Sequence, residues 1–97
     1  MLFQLGQIVT TCGIAERMRA DPSFARGVEN SLGRHAAGDW GNVCEESWKI
    51  NDDALEAERN GEYPDRLFSL YVINGMRIYI ITEFDRSVTT ILLPEEY

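Results

Sequence analysis

Histidine and lysine each occur once in this chain of 97 residues, at His35 and Lys49. Cysteine occurs twice and proline three times. Each scarcity excludes something. Cys12 and Cys44 lie far apart and form neither a CxxC pair nor a Cys/His cluster, so zinc has no evident ligand set. In a reducing compartment both thiols are expected to be free, with Cys12 as a small buried residue. No Gly-rich phosphate loop, P-loop or HExxH motif is present. No apolar run approaches the ~18 residues that a membrane span needs. The start, Met1-Leu2-Phe3-Gln4, lacks the basic and then apolar pattern of a secretion signal. The expectation is a cytoplasmic chain with no metal, no cofactor and no membrane contact.

What is present is acid, and it is concentrated. Between Asp39 and Asp65 nine carboxylates face two bases, Lys49 and Arg59. The residues before this stretch carry three acids and four bases, and those after it four acids and three bases. The flanks cancel, so the net charge of −7 belongs to one segment. Such a segment repels nucleic-acid backbones and favours basic partners. The eight arginines are dispersed, which argues against a nucleic-acid-binding face. An apolar fraction of 44% is too high for a disordered chain. The length suits a single domain over residues 1–97.

The spacing of apolar residues predicts an α+β fold: a short N-terminal strand, two or three helices, then a three-stranded antiparallel meander. Gly6–Thr11 is β-branched and short, hence a strand. Thr10 or Thr11 is placed to cap a helix over Ile14–Arg19. Asp21-Pro22 opens a helix running to about Arg34, with Phe24, Val28 and Leu32 as its stripe. Gly27 and Gly33 weaken that helix and could allow close packing on a sheet. His35–Asn42 is expected to break it. Glu45 and Glu46 start the next helix, to about Asn60, with Trp48 and Leu55 on one side and Ile50, Ala54 and Ala57 on a neighbouring side, together a modest buried face. Asn74-Gly75 is a two-residue hairpin signal between Arg66–Ile73 and Met76–Glu83. It pairs Ile73 with Met76, Leu67 with Thr82, and Arg66 with Glu83 as an opposite-charge cross-strand pair. Val88–Leu93 makes the last strand.

Two clusters could carry chemistry. His35, within HAAGDWG, could act as a base beside Asp39 and Trp40, or simply end a helix. Glu83 could act as a base while Arg86, Ser87 and the neighbouring threonines grip a phosphate or carboxylate, or Asp85 and Ser87 could simply build a turn. Ser69, Tyr71 and Thr82 share one strand face and could converge with His35. With Asp85 and Thr89 they form a possible polar site; an apolar face edged by tyrosine is the alternative.

The stretches HAAGDWGNV, RLFSLY and IYIITEFDRSVTTILLPEEY resemble a family of small, mostly uncharacterised bacterial proteins associated with plasmids and other mobile elements. The matching positions are Arg34-His35, Gly38-Asp39-Trp40-Gly41, Arg66, Ser69, Tyr71, Ile81-Thr82-Glu83, Asp85-Arg86-Ser87, Thr89-Thr90 and Leu93-Pro94. The chain departs from the pattern at Cys12, where proline is expected, and at Phe84, where a small residue is expected. The resemblance implies a role in maintenance or in countering host defence.

Three functions compete. In the favoured one, the chain is an accessory protein that acts by protein–protein interaction. It would be an anti-defence inhibitor that blocks a basic protein or nucleic-acid-binding complex through segment 39–65, without touching nucleic acid. Asp39, Trp40, Glu45, Glu46, Asp52, Asp53, Glu56 and Glu58 are its candidate partner-binding residues. In the second, the chain is a metal-independent ribonuclease or toxin, with His35 as base, Glu83 as acid and Arg86 as phosphate clamp. In the third, it is a structural or regulatory homodimer joined through the first or last meander strand.

Overall fold

The computed structural model describes residues 2–97. The chain runs through β1 (Gln7–Thr10), α1 (Cys12–Ala20), α2 (Pro22–Ala36), α3 (Glu45–Arg59), β2 (Leu67–Ile73), β3 (Met76–Thr82) and β4 (Val88–Leu92), then a single 3-10 turn, Pro94–Glu96. The strands form one sheet in the order β1-β4-β3-β2. The fold is α+β, but the sheet is four-stranded and mixed rather than a three-stranded antiparallel meander. β2, β3 and β4 pair antiparallel in chain order, and β1 adds to β4 in parallel, from Gln7 opposite Val88 to Thr10 opposite Ile91. The added pairing joins opposite ends of the chain, where no local turn signal exists to reveal it.

The hairpin follows its turn. Asn74 and Gly75 both take positive φ, 52° and 78°, as a type I′ turn requires. Ile73 therefore faces Met76, and Leu67 faces Thr82. β2 begins only at Leu67, so Arg66 lies outside the ladder. The expected Arg66–Glu83 pair is replaced: Arg66 donates to the Tyr97 hydroxyl at 2.5 Å and sits over its ring.

α2 starts where Asp21 accepts from the Ser23 amide at 3.0 Å and Pro22 takes the first position. It continues past Arg34 to Ala36, so His35 is a helical residue. The reason lies in the stripe: His35 falls seven residues after Val28, on the same face. At Gly27 an added Cβ would meet Ile73 at 2.4 Å, so that glycine does let the helix approach the sheet, while Gly33 faces open space. Thr11 stands before α1 but does not cap it with its side chain. Glu96 does so from the other end of the chain, accepting from the Thr11 hydroxyl and from the Gly13 amide. Cys12 is exposed rather than buried, because it opens α1 on its outer side, and both cysteines are free.

All three helices cover one sheet face. Ile14 of α1 and Phe24 and Val28 of α2 pack on Tyr71, Ile73, Ile78, Ile80 and Ile91. Ala54 and Leu55 of α3 join Phe3, Trp40 and Leu67 in a second cluster. Ile50, expected to be buried beside Ala54, is exposed. The opposite face presents Phe68, Tyr79 and the C-terminal Tyr97, with ring centroids 4.8 and 5.9 Å apart in that order.

The outer edge of β2 is occupied. The Leu70 amide donates to the Trp40 carbonyl at 3.2 Å, and the Asn42 amide donates to the Leu70 carbonyl at 2.6 Å. Gly41, between them, has φ 77°, and an added Cβ would lie 2.1 Å from the Leu70 oxygen. One residue pair along, Asn51 imitates a strand, donating to the Phe68 carbonyl at 2.7 Å and accepting from its amide at 3.1 Å. β4 lies inside the sheet. The outer edge of β2 is thus paired at Phe68 and Leu70, and β4 has a neighbour on each side.

Candidate functional site

His35 has no exposed surface, and neither have Ser69, Thr82 and Thr89. α2 brings the imidazole down onto the middle of the sheet, where it meets one hydroxyl from each of β2 and β3. Nδ1 is 2.5 Å from Ser69 Oγ, and Nε2 is 2.9 Å from Thr82 Oγ1. Thr82 is 2.8 Å from Thr89 Oγ1, and Thr89 donates to the Leu5 carbonyl at 2.6 Å. The last bond orients the whole chain of bonds. Thr89 spends its hydrogen on Leu5, so Thr82 must donate to Thr89. Thr82 then accepts from His35, which carries its hydrogen on Nε2. Nδ1 is left as an acceptor, and Ser69 donates to it. Every side-chain hydrogen in the relay has a partner.

The surroundings keep the imidazole neutral. Phe3 and Trp40 pack on it in T-shaped arrangements, with ring centroids 5.5 and 5.4 Å away. Burial, and then the positive charge of Arg86, bring the His35 pKa down to about 4. Both nitrogens are engaged and no surface reaches solvent, so His35 is not presented to a substrate as a base. Tyr71, placed with this cluster from the sequence, is buried beside Ser69, and its hydroxyl donates to the Asp39 carbonyl at 2.7 Å. Burial pushes that phenol up to about 12.

Arg86 is a buried cation, only 7% exposed. It sits in the β3–β4 turn with φ 59°. Nε donates to Glu58 at 2.8 Å, and Nη1 donates to the carbonyls of Asp65 and Glu83 at 2.9 and 3.0 Å. Nη2 has no hydrogen-bond partner among the described residues, and the guanidinium lies over the Phe3 ring, 5.8 Å from its centroid. This residue ties α3 to the turn. Glu83 contributes its backbone to that tie, so the expected trio of His35, Glu83 and Arg86 does not form a cleft. Asp85 is exposed and builds the turn with Ser87, whose amide and hydroxyl both donate to it; the hydroxyl bond holds the Asp85 carboxyl below its usual range.

The acidic candidates divide into two groups. Asp39 pairs with Arg34 at 2.8 Å, which lowers its pKa, and accepts from the Gly41 amide. Trp40 is fully buried and is not offered to a partner. Its indole donates to Asp52 at 3.0 Å. Glu58 pairs with Arg86. These acids serve the fold. Glu45, Glu46, Asp53 and Glu56 stand exposed on α3. Lys49 pairs with Asp53 at 2.9 Å, with both side chains largely in solvent.

Comparison of the chain with family models, curated proteins and solved structures found no match. Among the described residues, no group of three or more His, Cys, Asp or Glu side chains is arranged to hold a metal ion, and no helix is long and apolar enough to cross a membrane. Two features escaped the sequence reading: the Glu58–Arg86 pair and the exposure of Ile50. Glu58 looked like one more surface acid, and only the turn that delivers Arg86 makes it structural.

Proposed function

We propose that this chain acts by binding a basic protein through the outer face of α3, as an inhibitor of a nucleic-acid-binding complex would. The observation that carries the reading is the division among the acids. Asp39, Asp52 and Glu58 hold Arg34, the Trp40 indole and Arg86, whereas Glu45, Glu46, Glu56 and Asp53, the last paired only with the exposed Lys49, project from one helix. Clustered like charges that the fold does not use raise the encounter rate with an oppositely charged surface. The closed His35 relay agrees with this reading, because the residues best suited to acid–base work are sealed inside. A mobile-element role in countering host defence, implied by the sequence resemblance, gives such an inhibitor its setting.

The test is co-purification from host cells at low and high salt, with bound proteins identified by mass spectrometry. The reading expects one stoichiometric basic partner. That partner should be lost at high salt and on replacing Glu45, Glu46, Asp53 and Glu56 with lysine. Asp52 and Glu58 are left in place because their loss would disturb the fold. A partner that binds the lysine variant equally well would sink the proposal.

A further inference from the structure

α3 carries an apolar side chain among its exposed acids. Ile50 is 54% exposed. Glu46 lies one turn before it and Asp53 one turn after it on the same helical face. The buried side of α3 is supplied by Asn51, Ala54 and Leu55, so the core makes no use of Ile50. Beside it opens a groove of about 350 Å³ whose lining includes Ile50, Phe68 and Tyr97 together with Asp65 and Arg66. The groove continues onto the sheet face that no helix covers, through the contacts of Phe68 and Tyr97 with Tyr79. The Arg66 guanidinium is engaged by Tyr97.

An apolar centre with a charged rim is the anatomy of a protein interface. The sign of the rim selects the occupant. The exposed acids around the groove, Glu45, Glu46, Asp53, Glu56 and Asp65, outnumber the bases Lys49 and Arg66, so the net charge repels nucleic-acid phosphates and anionic lipid and attracts lysine and arginine. We infer that the groove is the anchor point of the interface on α3. It takes one large apolar side chain from a basic segment of the partner protein, whose flanking Lys or Arg residues meet Glu46 and Asp53. The inference rests on the acidic-face reading and adds to it a contact that salt does not screen.

Two synthetic peptides of equal positive charge test it, one with a central tryptophan and one with serine in its place. Each is titrated into the isotope-labelled full chain and followed by NMR. The tryptophan peptide should bind at least about tenfold more tightly, the gain expected from burying one large apolar side chain. It should shift the resonances of Ile50, Phe68 and Tyr97. Ile50→Ser, a surface change that leaves the fold intact, should reduce its affinity to that of the serine peptide while the salt dependence stays the same. Equal affinities, or shifts confined to other surfaces, overturn the inference. If lysine at positions 46 and 53 weakens both peptides while Ile50→Ser weakens neither, the anchor is wrong and the acidic-face reading survives. If neither peptide binds, both fall. Ile50-dependent self-association without peptide would assign the groove to a second copy of the chain and also overturn the inference.

Discussion

His35 donates its Nε2 hydrogen to Thr82 across 2.9 Å, and that bond ties α2 to the central strand β3. Because Thr82 is itself committed to Thr89, the bond also sets the tautomer of the imidazole. The relay is structural: it satisfies three hydroxyls and a histidine that the fold has taken out of water.

The relay makes stability depend on pH. His35 titrates near 4 when folded and near 6.5 when unfolded. Unfolding therefore takes up a proton between those values. The contribution is fully present above pH 6.5 and is lost as pH falls through the window towards 4. Its full size is about 3 kcal/mol, from the usual conversion of a pKa difference. Thermal unfolding across the window should show Tm falling with pH in the native chain and a flatter profile in His35→Asn. An imidazole midpoint near 6.5 by NMR would contradict the burial argument.

Removing either member of the Glu58–Arg86 pair strands a charge. Arg86→Met leaves Glu58 without its partner, and Glu58→Gln leaves a guanidinium that is almost wholly buried. The second should cost about 3 kcal/mol and the first less, because Glu58 keeps some solvent. The double variant Glu58→Met with Arg86→Met should be less destabilised than the sum of its single changes. Urea midpoints decide; strict additivity would show that the pair is not coupled.

Adjacent acids should behave differently. Asp52→Ala deprives the buried Trp40 indole of its acceptor at 3.0 Å and should cost about 1–2 kcal/mol. Asp53→Ala removes an exposed carboxylate paired only with Lys49 and should change stability by less than about 0.5 kcal/mol. In binding assays the order should invert among folded variants, with Asp53 the more important.

Two glycines give opposite signs. Gly41→Ala drives a Cβ to within 2.1 Å of the Leu70 oxygen at positive φ. It should open the segment that closes the β2 edge, at a cost of more than about 2 kcal/mol. Gly33→Ala points into open space from an α2 position and should stabilise by about 0.5–1 kcal/mol. Chemical denaturation of the two variants checks both.

Much of the local structure was legible, because local rules produced it. Asp21-Pro22 started α2, Asn74-Gly75 set the hairpin register residue by residue, and the α+β class followed from the order of patterns. Part of the site was legible too: Ser69 and Thr82 lie on the paired strands β2 and β3 with a shared face, and both reached His35. The periodicity that carries Val28 inward also carries His35, and that signal could have placed it inside the helix rather than at its end. Tyr71 shared the face and lies beside Ser69, but its hydroxyl donates to the Asp39 carbonyl rather than to His35.

The amino-acid order alone determined the acidic segment, the hairpin, the helix starts and the lack of a metal-binding motif, since each depends on neighbours within a few positions. Tertiary structure decided everything that joins distant residues. It paired β1 with β4, brought Glu96 to α1, laid Gly41 and Asn51 along β2, and buried Arg86 on Glu58. It also separated acids that serve the fold from acids that remain exposed. A carboxylate's sequence neighbourhood does not reveal which cation or indole will reach it, because that depends on the packing of elements far apart in the chain.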